Sequence, residues 1–100
     1  MQVSYAFKNM SDAEKQGFYD YFDKKIDKID KVAMHLYSEP MLDVHAEKFV
    51  KNSAYKVSLM FHGSPEVIVS EDDHTINEAI DLAEGKLMER MRKIKDKMRG

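Results

Sequence analysis

Apolar and polar residues alternate over positions 2 to 7. Val3, Tyr5 and Phe7 fall on one side and Gln2, Ser4 and Ala6 on the other, which is the period of a half-buried strand. Past Asn9 and Ser11, either of which can cap a helix, the period changes. Phe18, Phe22, Ile26, Ile29, Ala33 and Leu36 recur at spacings of four and three, keeping one helix face for about five turns. Asp12 and Glu14 lie in the first turn, where the macrodipole favours negative charge. Pro40 disfavours helical geometry just before it, so the pattern predicts an end near Ser38.

From Met41 the period returns to two. Leu42, Val44 and Ala46 alternate with Asp43, His45 and Glu47, Lys51-Asn52-Ser53 interrupts, and Tyr55, Val57, Leu59 and Phe61 resume the alternation. Two such runs around a short polar break predict an antiparallel hairpin. Gly63-Ser64-Pro65 is a second turn, and residues 66 to 70 form a third strand of the meander. Thr75 and Glu78 have the spacing of a capping box, so a second helix starts there. Its apolar face is Ile76, Ile80, Ala83, Leu87, Met91, Ile94 and Met98.

The predicted order is β-α-β-β-β-α. Two amphipathic helices on one face of a four-stranded sheet give an α+β two-layer sandwich, a double-stranded-RNA-binding-like fold whose other sheet face is polar. If the first strand lies parallel to the one starting at Met41, the first helix is its right-handed crossover, and both helices run the same way across the sheet.

Composition narrows the chemistry. The 100 residues fit a single domain, 1-100, and 43% hydrophobic residues with few Gly and Pro exclude a disordered chain. The lack of Cys removes disulfides, thiolate metal sites and cysteine nucleophiles. No apolar run approaches the roughly 18 residues of a membrane span, and the N-terminus lacks a signal-peptide pattern, so the cytoplasm is the expected compartment. His35, His45, His62 and His74 have no metal-ligand spacing, although His45 and His62 are placed to face one another across the hairpin. Glu71-Asp72-Asp73 lacks the alternating ligands of a calcium loop and reads as a solvated turn. Met88, Met91 and Met98 read as adaptable core filling. With no nucleophile elbow, phosphate loop or dinucleotide fingerprint, neither an enzyme nor a cofactor is expected.

Charge changes the picture more. The net charge of −2 conceals a basic stretch from residue 86 to 100, with seven cationic residues against two acidic ones, on a body that carries −7. Around the first helix, Lys24, Lys28, Lys31 and His35 line one flank of the apolar face, with Asp20, Asp23, Asp27 and Asp30 behind. Lys86, Arg90, Lys93 and Lys97 make a similar stripe on the second. Such stripes can hold a phosphate backbone, or can simply be a solvated boundary of snorkelling side chains. They lie on the same-handed flank of each helix. For parallel helices, one stripe therefore points into the groove between them and the other sits at the outer edge.

Together with this topology, three stretches resemble the ribosome hibernation-promoting factor family, which includes the ribosome-associated inhibitor and sigma modulation proteins. They are the hairpin of Val44-His45-Ala46-Glu47-Lys48 with Tyr55-Lys56-Val57-Ser58-Leu59, the run from Thr75 through Ala79-Ile80-Asp81 to Lys86-Leu87, and the basic end Arg92-Lys93-Ile94-Lys95-Asp96-Lys97. The resemblance implies a cytoplasmic translation inhibitor of starved or resting cells. It would bind the small ribosomal subunit in the channel of the mRNA and the tRNA anticodon ends, and would be a monomer off the ribosome. Carried over residue by residue, it points to Lys86, Arg90, Lys93 and Lys97, then to Lys24, Lys28 and Lys31, as contacts to ribosomal RNA. Thr75 departs from the Asp common there, and Asn77 from an aromatic. The length corresponds to the short family form, without the C-terminal dimerisation domain of the long form. The alternative is a non-enzymatic protein-interaction or dimerisation module of the same fold.

Overall fold

The computed structural model describes residues 1–99. In chain order the elements are β1 (Gln2–Lys8), α1 (Asp12–Leu36), β2 (Met41–Phe49), β3 (Ala54–Phe61), β4 (Val67–Asp73) and α2 (Ile76–Arg99). The four strands form one sheet in sequence order. β1 pairs parallel with β2, in register Val3↔Leu42 and Tyr5↔Val44. The β2–β3 and β3–β4 pairs are antiparallel. A parallel pair needs a crossover, and α1 supplies it.

The period-2 residues do what their alternation predicts. Leu42, Val44, Ala46, Val57, Leu59, Phe61, Val67 and Val69 are buried beneath the helices. Phe18, Phe22, Ile29, Ala33 and Leu36 of α1 meet them, as do Ala79, Ile80, Ala83, Leu87, Met88 and Met91 of α2. β1 is an edge strand, and its Tyr5 and Phe7 are only half-buried. They are held by α1, where Phe18 lies edge-on to Phe7 with ring centroids 5.4 Å apart and Tyr19 lies edge-on to Tyr5 at 4.8 Å. Edge-to-face pairs at these distances add attraction beyond their buried area.

Several local expectations are corrected. The reciprocal capping box forms on α1, where Glu14 N–H donates to Ser11 Oγ at 3.2 Å and Ser11 N–H to the Glu14 carboxylate at 3.0 Å. At α2 only Thr75 plays its part, accepting from Glu78 N–H at 3.2 Å. The Glu78 carboxyl does not close the box, and the neighbouring Asp73 raises its pKa. α1 stops at Leu36 rather than near Ser38, because Tyr37 is already extended and its ring stacks on Phe61 at 5.2 Å.

β4 runs to Asp73, so Glu71 and Asp72 are strand residues rather than a solvated turn. Asp72 lies opposite Lys56, a favourable charge pair across strands. His45 lies opposite Ser58 and does not meet His62, which bonds Asp43 instead. Asp30 is half-buried rather than at the exposed back of α1, and Met98 is 65% exposed rather than core.

Glu14 does more than cap. Its carboxylate also accepts from the Tyr55 hydroxyl at 2.6 Å and lies 3.3 Å from the Lys48 ammonium, tying the start of α1 to the β2–β3 hairpin. The Ser11 backbone N–H, then Tyr55, hold its pKa down from 4.5 to about 2. A carboxyl depressed on folding contributes stability that is complete above its unfolded value and is lost as pH falls through the folded one. Acid titration of stability should therefore show a decline between pH 4.5 and about 2 that Glu14→Gln flattens, measured as denaturant midpoint against pH. Phe22 is fully buried between the layers, and Phe22→Ala should cost about 3–5 kcal/mol in chemical denaturation.

Candidate nucleic-acid interface

The parallel β1–β2 pair sets the direction of both helices. α1 returns from the end of β1 to the start of β2, and α2 returns from the end of β4, so the two run side by side in the same direction. The contacts between them confirm the register: Tyr21 and Lys25 of α1 meet Asp81 of α2, and Lys28, further along α1, meets Glu84, further along α2. With parallel helices, same-handed flanks cannot both face the groove.

The stripe of α2 lies on the outside. Lys86, Arg90, Lys93 and Lys97 are all exposed. The Arg90 guanidinium donates to the Ile68 carbonyl on the free edge of β4, which fixes the flank as the one away from α1. Arg90 and Lys93, with Glu66, Val67 and Ile94, line a shallow depression of about 220 Å³ at this edge. Lys93 reaches Glu89 one turn earlier, at 3.1 Å, and that contact lowers the Glu89 pKa. This is an exposed pair of the kind worth little, and a phosphate can displace it. Arg90 has five N–H donors, so its bond to Ile68 leaves others to face solvent.

The stripe of α1 faces the groove in part. Lys28 reaches Glu84 at 3.1 Å, while Lys24 and Lys31 are exposed. The Lys24 ammonium stands 5.8 Å from the Tyr21 ring centroid. The structure thus does not gather the seven cations into one patch: four form a ridge at the β4 edge, and three lie along α1.

Pattern reading missed the group that fills the groove. The Tyr21 hydroxyl donates to both Asp81 carboxylate oxygens, at 2.9 and 2.8 Å, and the Lys25 ammonium lies 3.0 Å from the same carboxylate. Burial works to raise the Asp81 pKa, but the bonds from Lys25 and Tyr21 outweigh it and leave the carboxyl lowered. The same contact raises Lys25. The spacing of Asp81 and Glu84 on α2 against Lys25 and Lys28 on α1 was visible, but its meaning depended on helix direction.

The open face of the sheet carries a second polar group. Ser4 Oγ and His62 Nε2 both bond the Asp43 carboxylate, which accounts for its lowered pKa. The carboxylate lies between the hydroxyl and the imidazole, so the imidazole has no path to the serine proton and the group is not arranged for nucleophilic catalysis. Among the described residues no cluster of His, Asp and Glu is placed to hold a metal ion, and no helix is long and apolar enough to cross a membrane.

A sequence profile settles the lineage. The profile of the sigma 54 modulation protein / S30EA ribosomal protein family matches residues 5–99. The chain belongs to this family. The family is one of ribosome-associated modulation factors. The fold is similar to that of the Thermus thermophilus Protein Y N-terminal domain. The two share 22% identity over 94% of this chain and 99% of that one, with a TM-score of 0.69. No curated protein matches the chain.

Proposed function

We propose that this chain is a hibernation-type translation inhibitor that binds the small ribosomal subunit near the decoding site and blocks mRNA and tRNA by occupying their channel. The observation that carries the reading is the one-sided cationic ridge of Lys86, Arg90, Lys93 and Lys97 on a domain of the S30EA family. Lysine and arginine in a row hold a phosphate backbone by releasing its counterions and need no base to be read. Lys24 and Lys31, exposed along α1 apart from this ridge, are secondary contacts, and Lys28, already held by Glu84, is left out of the contact set. Inhibition by occupancy makes and breaks no bond. It requires a domain that keeps its shape, which the two-layer core and the Glu14 hub support. The setting is the cytoplasm, and the free protein is a monomer.

A second reading, an interaction module, draws on Met41 and Ile68, which are 52% and 44% exposed on the open face of the sheet. Gel filtration separates the two: a self-associating module elutes as a dimer at micromolar concentration, whereas the leading reading gives a monomer. Sedimentation with purified ribosomes tests the leading reading directly. The protein should travel with the small subunit at low salt and leave it as salt rises. Lys86→Glu, Arg90→Glu and Lys93→Glu together should abolish co-sedimentation without changing the circular dichroism spectrum. Absence from the small-subunit fraction at low salt overturns the proposal.

A further inference from the structure

Glu84 is the one buried charged residue among those described: the residue is 6% exposed, in the layer where Leu87 and Met88 are core. One carboxylate oxygen has no solvent contact and makes no well-aligned hydrogen bond, so the Lys28 ammonium at 3.1 Å is its counter-charge. Removing a charge of this kind from water is costly unless an opposite charge stays beside it. Lys28 is 57% exposed at its side chain and has room to swing away, yet leaving would strand the Glu84 charge. One turn earlier Asp81, with its own side chain 49% exposed, holds the more buried Lys25 at 3.0 Å, and the Tyr21 hydroxyl completes the site.

From these contacts we infer that Asp81 and Glu84 act as internal counter-ions that withdraw Lys25 and Lys28 from any polyanion, so phosphate contact rests on the outer flank and C-terminal part of α2, with only Lys24 and Lys31 added from α1. This deepens the ribosomal RNA reading and rests on it for the identity of the polyanion. Two cations and two carboxylates leave the N-terminal half of the groove without net charge. Among the described residues, Lys86, Arg92, Lys95 and Lys97 of α2 have no ion-pair partner. A phosphate approaching Lys28 must displace a carboxylate that has nowhere to go, because Glu84 is anchored in the core.

Salt-gradient elution from immobilised heparin, a polyanion that needs no ribosome, tests the masking. Glu84→Gln keeps the shape of the side chain and frees Lys28, so it should elute at higher salt than the native protein. Asp27→Asn makes the same charge change on the exposed side of α1 and should elute with the native protein. The double variant Glu84→Gln with Lys28→Gln should also elute as the native protein does. Lys97→Gln should elute earlier. Thermal melts establish that each variant is folded, and if Glu84→Gln alone is not, the double variant still decides.

The inference is overturned if the double variant elutes as early as Lys97→Gln, because Lys28 is then a contact. It is equally overturned if folded Glu84→Gln elutes unchanged, or if the native protein is not retained at low salt. On ribosomes, each lost phosphate contact should lower the slope of log affinity against log salt by about 0.7–0.9, and the double variant should leave that slope unchanged. If the heparin pattern holds but nothing co-sediments with the small subunit, the masking stands and the ribosomal reading falls.

Discussion

The parallel pairing of β1 with β2 is the constraint on which the surface depends. Had the two strands formed a hairpin, α1 could not lie between them in sequence, and no rule would fix its direction relative to α2. The parallel register forces a crossover, the crossover is a helix, and the antiparallel meander then returns the chain so that α2 runs alongside it. Two stripes that look equivalent on separate helical wheels become inequivalent once the axes are parallel. One flank meets the neighbouring helix and the other meets the edge of the sheet. The separation of a neutral groove from a cationic ridge follows from strand direction as much as from the placement of lysines.

The hydrophobic layer and the polar contacts are coupled in the same way. The apolar face of α1 fixes its rotation, and that rotation delivers Lys25 and Lys28 to the groove. The face of α2 carries Glu84 beside Leu87 and Met88, so the core itself positions a carboxylate against Lys28. At the far end of α1, Glu14 joins the helix N-terminus to Lys48 of β2 and Tyr55 of β3. The ends of the crossover are thereby tied to the sheet, Glu14 at the start and the stacked Tyr37–Phe61 pair at the finish. On the proposed reading such ties matter, since a surface that yields cannot exclude a competing nucleic acid.

Element type, order and core were legible in the sequence because periodicity is a local property repeated many times. Phe18, Phe22, Leu59 and Leu87 each fit a pattern that neighbouring residues reinforce. What was not legible depended on single pairings. Glu71-Asp72-Asp73 looks like a turn in isolation, and its place in β4 shows only once Lys56 is known to lie opposite Asp72. The capping box was expected at Thr75 and Glu78, yet Asp73 lies beside the glutamate there, whereas Glu14 closes its box with one carboxylate oxygen and takes Tyr55 and Lys48 on the other. His45 and His62 lie on the same open face, but a register read from side-chain alternation alone cannot say which residue is opposite which. Lysines on a wheel look alike until the position of the nearest carboxylate is known, and that carboxylate lies more than fifty residues away in the chain.

The acidic body and the cationic helix end can also be read through the helix dipole, which favours negative charge at the start of α2 and positive charge at its end. That account covers Glu78 and the last turn but not the ridge. The dipole acts within the terminal turn, whereas Lys86 lies 13 residues before the last residue of α2, and dipole attraction gives no reason for four cations to share one flank. Nor does the net charge of −2 oppose a polyanion at that flank. From Asp81 to Lys97 the helix rises about 24 Å, some three screening lengths at physiological salt, so the carboxylates at one end barely register at the other. A phosphate arriving at the end of α2 meets the local cations, and the acidic body is screened from it.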